Sequence, residues 1–450
     1  MKKLIYLLVF SVFLGTQILA LDIGFKLSMY RILFLGVFCM FSVMFINNDQ
    51  RLRFYPKKLS STYTLFYTLW LLYSLLSVVW SQNLAGWTKA NIFIGIGVFT
   101  IIFIHLFIKE EKDILNLFRS VGAGVAIHIF IGLAEIITGK YLWASDHFMT
   151  KYRPASQTIF SRIPISIYPN QNDYATMLLM GSFIIIFLFR NAKRVYAKIG
   201  YFILLTLCFM LIYQTESRGN LLAFFIGIGA MLLTYFSRVI TKKGIFLTFI
   251  TAGGLGTIFV IASESIRGKI SGIISLISGN VIYDNSSNMT RVNLIKNGFY
   301  FLRDTLGFGV GAGNIEHWMK TNAFFQVGDK SNMHNWWMEI LTGYGVFIFV
   351  LYVLVYASML QRAYQYYRYS KDAFVRNASL SIIGYLAAFT LSSISSASNI
   401  INEWQWVIFG IIIAFFSYCE SLGIKKEQVS YITQKKNNEM IRDFVGGQHG

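Results

Sequence analysis

The sequence predicts an all-α, polytopic integral membrane protein with about twelve transmembrane helices. Three observations carry that expectation. Of the 450 residues 55% are hydrophobic, 17% aromatic and only 14% charged, with a mean hydropathy of +0.54. A soluble domain of this length does not have that composition. Uncharged apolar runs repeatedly reach the length that crosses a bilayer as helix. The runs are continuous rather than alternating, which fits helices and not a membrane β-barrel.

The elements follow in order. Met1-Lys2-Lys3 ahead of the apolar run 4–21 has the look of a signal peptide. Gln17-Ile18-Leu19-Ala20 is a poor cleavage site and a second apolar run follows at once, so the run is expected to remain as a first helix. Further helices are expected over residues 28–46, 63–80, 91–108, 120–138, 174–189, 199–214, 219–236 and 245–262. The tenth begins at His334 or Asn335, and the last two cover 378–397 and 404–420. Residues 1–421 thus form one transmembrane domain, with a long loop over about 263–334 and a polar, basic, mobile tail over 422–450.

An even helix count puts both termini on one side, and the positive-inside rule selects it. With the N-terminus inside, 25 of the 40 Lys and Arg fall inside and 15 outside. The long loop holds seven of those 15, and long loops translocate largely regardless of charge. Both termini are therefore expected to be cytoplasmic. Lys89, residues 139–173, Arg218, the long loop and His334 then share the outer face. The net charge of +19 reflects this distribution, so no nucleic-acid partner is expected. Cys39, Cys208 and Cys419 all lie in apolar runs, without metal-ligand or disulfide spacing.

The stretch Asn332-Met333-His334-Asn335-Trp336-Trp337-Met338-Glu339 marks where a polar loop meets a hydrophobic helix. A histidine on that first turn can reach a substrate and still exchange protons with water. The competing reading is an interfacial His-Trp-Trp anchor, because tryptophans collect at that depth. Arg218 is the one basic residue of its turn, and a guanidinium fork suits a phosphate or diphosphate. Its competing reading is an ion pair with Glu216. Val292, Ile295, Phe299 and Leu302 recur at helical spacing, as in an amphipathic helix lying on a membrane, with Arg291 at its start. Lys296 and Arg303 on another face read as lipid-headgroup contacts. Gly307-Phe308-Gly309-Val310-Gly311-Ala312-Gly313-Asn314 is not a nucleotide loop, since no strand–helix unit surrounds it, and reads as a close turn. No Walker motif, zinc-like cluster or Asp-rich pair is present, so neither cofactor nor metal is expected. His147 and His317, in outer loops, stay open as minor participants.

These residues resemble the O-antigen ligase and Wzy-type polymerase superfamily of bacterial cell-envelope glycosyltransferases. Ser217-Arg218-Gly219 is similar to the family's Ser-Arg-Gly turn. Thr290-Arg291 with the glycine run downstream resembles its Arg and Gly-x-Gly-x-Gly loop. His334-Asn335, Glu339, Leu341 and Gly345 resemble its His-Asn-x-x-x-Glu-x-Leu-x-x-x-Gly signature, and Pro169-Asn170 a Pro-Asn segment before a helix. The resemblance covers about residues 170–350. It implies a C-type glycosyltransferase architecture in the bacterial inner membrane, acting at the outer face on undecaprenyl-diphosphate-linked oligosaccharide. It implies His334 as general base, and Arg218 and Arg291, with Lys89, as diphosphate ligands. Asn335, Glu339 and Asn170 would support them. Membrane lipid and a chain-length-regulating protein are the further partners implied. The expected activity is polymerisation of repeat units. A ligase with a lipid or protein acceptor is the alternative within the family, and a lipid-linked oligosaccharide flippase the alternative outside it. A flippase would place ionisable groups mid-helix, where only Glu135 comes near.

Overall fold

The chain begins with a helix that stops well short of a membrane crossing. The computed structural model describes residues 1–22, 26–49, 59–143, 149–152, 158–237, 287–328, 331–394, 396, 398 and 400–424. Helix α1 is Lys2–Ser11, and a single turn α2 is Gly15–Ile18. A small antiparallel hairpin follows, β1 (Ala20–Asp22) with β2 (Lys26–Ser28). The continuous helix expected over 4–21 is therefore broken. Gly15 takes φ 55, a left-handed conformation that ends a helical run, and its backbone lies close against Ile167. Next come α3 (Met29–Ile46), α4 (Leu59–Leu76), α5 (Leu84–Phe107) and α6 (Glu111–Thr138). A short turn α7 (Met149–Tyr152) precedes α8 (Gln171–Asn191), α9 (Val195–Gln214) and α10 (Arg218–Phe236). The chain continues as α11 (Ser287–Asp304), α12 (Ile315–Thr321), α13 (Trp336–Tyr369), α14 (Ala373–Ser392) and α15 (Glu403–Ser421).

Ten of these helices are long and apolar enough to cross a membrane, so the chain is an all-α polytopic membrane protein. The helix expected over 245–262, the loop over 263–286 and the tail from 425 lie outside the described residues. Helices α8 and α15 are buried almost throughout and form the centre, with α14 against α8 and α10, and α15 against α5. Polar groups sort to two ends. At one end Lys2 pairs with Glu110 and Asp113, and Ser60 donates to Glu420. At the other lie the starts of α5, α8, α10 and α13.

Helix α13 has 34 residues in two helical segments that meet at Gly345, and the second, residues 346–369, is about 36 Å long at the usual rise, enough to span a bilayer core. The basic stretch expected as a loop from Arg362 is in fact its last turns. Gly345, at φ 78 and ψ 178, kinks it. The tryptophans at its start are not an interfacial anchor. Trp336 is 1% exposed, its Nε1 donates to the Tyr352 hydroxyl at 2.8 Å, and its ring lies 5.9 Å from Trp70. Trp337 Nε1 donates to the Thr390 carbonyl.

The amphipathic helix is α11, but its buried stripe differs from the one the spacing favoured. Leu294, Asn297, Gly298 and Phe301 face inward, while Phe299 is exposed. Leu294 and Phe301 pack with Met333, Met338 and Leu341. Asn297 accepts from the backbone N–H groups of Phe324 and Phe325, so the polar side chain is satisfied where it is buried. Lys296 lies over the Phe325 ring, and Arg303 pairs with Asp304 and covers Tyr300.

Candidate active site

Asn335 decides how the chain enters α13. Its Oδ1 accepts from the N–H groups of Trp337 and Met338, at 3.1 and 3.2 Å, so Asn335 is the cap and not a helical residue. His334 therefore sits one residue before the cap rather than on the first turn. It is half-buried and adopts φ 47, a left-handed conformation uncommon outside glycine. Backbone of this kind clusters where the surroundings fix a side chain for a purpose. Glu339, one turn into the helix, is buried and accepts a hydrogen bond from Ser398 Oγ.

The Arg218 turn is assembled in the same way. Glu216 takes φ 55 and Ser217 is the cap residue ahead of α10. Ser217 Oγ donates to Asn172 Oδ1 at 2.8 Å and accepts from Asn220 Nδ2 at 2.9 Å. Arg218 is the first residue of α10 and is exposed. It opens on a cavity of about 400 Å³ with Arg162, Gln214, Glu216 and Ser217. Among the described residues no ion pair joins Arg218 to Glu216, so the alternative expected from the sequence is not formed. Arg162 is spent differently: its Nη1 donates to the Ile136 and Ile137 carbonyls at the end of α6.

Asn170 caps α8, accepting from Asn172 and Asp173 N–H, and its Nδ2 donates to Asp173 Oδ2 at 2.6 Å. Its role is to shape the turn that meets Ser217. Helix α14 ends at Ser392, five residues earlier than expected, and the serine-rich chain after it crosses the site. Ser392 Oγ donates to Asn220 Oδ1, and Trp336 N–H donates to the Ser393 carbonyl at 3.0 Å. Ser396 Oγ donates to Asp173 Oδ1 at 2.5 Å, and Ser398 holds Glu339. Consecutive residues thus tie the Arg218 turn to the His334 junction.

A second cavity, about 430 Å³, holds Lys89, Glu316, His317, Lys320, Asn332 and Glu339. Lys89 is the sixth residue of α5 and not part of a turn. The glycine run brings it there. Val310 and Gly311 N–H donate to the Thr342 and Gly343 carbonyls, and Val346 N–H to the Gly307 carbonyl. Asn83 N–H donates to Asn314 Oδ1 at 2.7 Å. The run is a close turn, as expected, and it clamps the start of α13 to the start of α5. Lys89 and Arg218 line different cavities. Arg291 is half-buried in the second turn of α11, not at its start, and lines neither cavity.

Residues 203–353 match a family model described as O-antigen ligase. The teichuronic acid biosynthesis protein TuaE of Bacillus subtilis (strain 168) is 28% identical over 421 residues, covering 91% of this chain and 83% of that protein. The chain is thus similar to the O-antigen ligase family over residues 203–353 and to a teichuronic acid biosynthesis protein over most of its length. The two similarities support a membrane enzyme of cell-envelope polysaccharide biosynthesis. The stretch that matches the family model contains Arg218, Arg291, His334, Asn335 and Glu339, whereas Lys89 and Asn170 lie before it. Sequence reasoning missed the serine segment at the end of α14, which ties the Arg218 turn to the His334 junction. Its signal was a run of serines, Ser392-Ser393-Ile394-Ser395-Ser396, where an apolar helix was expected to continue. Arg162 was missed too, since one cation in a polar segment carries no pattern.

Proposed function

We propose that the protein polymerises undecaprenyl-diphosphate-linked oligosaccharide repeat units at the outer face of the bacterial inner membrane. His334 takes the proton from an acceptor sugar hydroxyl. That oxygen bonds to the anomeric carbon of the donor glycan with inversion, the bond from this carbon to the diphosphate oxygen breaks, and undecaprenyl diphosphate leaves. Arg218, on its open cavity, holds the departing diphosphate, and Arg291 and Lys89, which do not line that cavity, serve as further cations for the lipid-linked donor. Fixed donors aimed at developing negative charge are the strongest lever available to such a reaction, and the activated donor supplies the driving force.

One observation supports this reading above the others. The Ser393 carbonyl accepts from Trp336 N–H, two residues after His334, and its neighbour Ser392 donates to Asn220, two residues after Arg218, so adjacent residues anchor the starts of both helices. Both termini would then be cytoplasmic, and a chain-length regulator is a natural partner. A ligase reading draws on the description of the matching family model, O-antigen ligase. The two differ only in the acceptor.

The test uses purified protein with an undecaprenyl-diphosphate repeat unit, in EDTA and without nucleotide. Wild type is expected to make a ladder of products, and folded His334→Ala and Arg218→Ala none. Transfer only on addition of a lipid or protein acceptor would select the ligase. Variants as active as wild type would remove both residues from the chemistry.

A further inference from the structure

A third cavity, about 490 Å³, opens beside the site and plays no part in the reading above. It lies between the bend after α1, the segment before α8 and the start of α15. Gln17, Arg31, Trp143, Tyr168, Asn402 and Glu403 line it. Its size is that of a preformed small-molecule site.

Its chemistry is mixed in a specific way. Arg31 Nε donates to Glu403 Oε1 at 2.8 Å, with the two side chains 25% and 13% exposed. Among the described residues no acceptor takes the terminal Nη hydrogens of Arg31. A partly buried ion pair is weak as a stability device, but a planar fork with free N–H groups beside a carboxylate suits vicinal hydroxyls. Trp143 and Tyr168 add aromatic faces, which accept apolar C–H surfaces. Sugars present those two surfaces together. Because Glu403 balances Arg31, an uncharged, hydroxyl-rich sugar fits better than a uronate.

The walls are held in place. Glu135 Oε2 accepts from Ile165 and Ser166 N–H at 2.9 and 2.8 Å, and the His128 ring bonds Ser166 Oγ. Gly15, at φ 55, fits against Ile167. The cavity also borders the Lys89 cavity. Ile401 lines both, and Phe93 of the Lys89 cavity lies 4.9 Å beneath the Arg31 guanidinium.

We propose that this cavity is a distal carbohydrate site, binding uncharged sugars of the glycan some residues away from the bond being formed. The inference rests on the glycan substrate of the proposed function, but not on the catalytic roles given to His334 and Arg218. It follows that longer glycans bind more tightly than a single repeat unit.

The experiment measures binding to the full-length protein in detergent, with lipid-free oligosaccharides of one, two and four repeat units released from the cell's own polymer. Wild type should bind the four-unit probe about three- to tenfold tighter than the one-unit probe, the range of one aromatic contact. Trp143→Ala with Gln17→Ala should erase that ratio while leaving transfer to a one-unit acceptor at the wild-type rate. Gln17→Leu alone, at an exposed position, should reduce the ratio without touching the fold. His334→Ala should keep it. Length-independent binding would overturn the proposal, as would a ratio unchanged in the variants. Equal loss of one-unit transfer in the double variant would make Trp143 structural, and Gln17→Leu then decides alone. If wild type makes no polymer yet shows the ratio, the polymerase reading fails and the distal site stands.

Discussion

His334 and Asn335 are neighbours with separable roles. Asn335 caps two N–H groups of α13, so Asn335→Ala should cost about 1 kcal/mol of stability. That loss reads as a lower melting temperature, with polymer formation falling as His334 loses its fixed backbone. His334→Gln should melt like wild type and make no polymer, because glutamine keeps polarity but cannot accept the proton. Polymer at the wild-type rate from His334→Gln would end its assignment as base. Glu339 calls for a different substitution. Its acceptor bond to Ser398 survives in Glu339→Gln, whereas Glu339→Leu leaves the serine hydroxyl without its partner, at about 1–3 kcal/mol. A stable, active Glu339→Gln beside a destabilised Glu339→Leu would make Glu339 a positioning residue. A stable but inactive Glu339→Gln would mean that its charge matters to the reaction.

At the scale of elements, the glycine run behaves as a joint. Gly309 has φ 79, and a Cβ there would lie 2.6 Å from Gly345 N and 2.8 Å from the Thr342 carbonyl oxygen. Both are backbone atoms that cannot swing away. Gly309→Ala should therefore lower stability by about 1–3 kcal/mol and reduce activity by loosening α13 from α5. Gly200→Ala is the contrast: a helical glycine of α9 with nothing near its Cβ position, expected to gain about 0.5–1 kcal/mol. Thermal melting of the two variants in one detergent checks both signs. The run's turn character was legible because four glycines alternate in eight residues, but its partners were not, since Asn83, Thr342 and Gly343 are far away in sequence. Helices α3, α4, α8, α9 and α10 were legible within about four residues from apolar length alone, whereas α5 and α6 start seven and nine residues earlier than expected because their first turns are polar. The α11 face was misjudged because a buried Asn297 looks polar in the sequence and only its bonds to Phe324 and Phe325 explain it. The early end of α14 was missed for a related reason. Serines are tolerated in a membrane helix, and only their acceptors on other helices show that here they leave it.

For the whole molecule, the open quantity is which end faces out. Polar contacts divide the protein into an end with Lys2, Glu110, Asp113 and Glu420 and an end with Lys89, Asn170, Arg218 and His334. Among the described residues, Lys109, Lys112, Arg190, Lys193 and Arg194 lie at the first end, in line with the chain-order count if both termini are cytoplasmic. The second end carries the cavities and the strap that binds them. An undecaprenyl-diphosphate glycan displayed on the outer leaflet can meet His334 only if that end faces outward. Single cysteines decide this in a background where Cys39, Cys208 and Cys419 are replaced. Thr88→Cys, exposed beside Lys89, should react with a membrane-impermeant thiol reagent on intact cells. Lys193→Cys, exposed between α8 and α9, should react only after permeabilisation. The reverse pattern would place the site in the cytoplasm. The donor would then have to be used before it crosses the membrane, and the outer-face polymerase would give way to an enzyme acting on the inner leaflet.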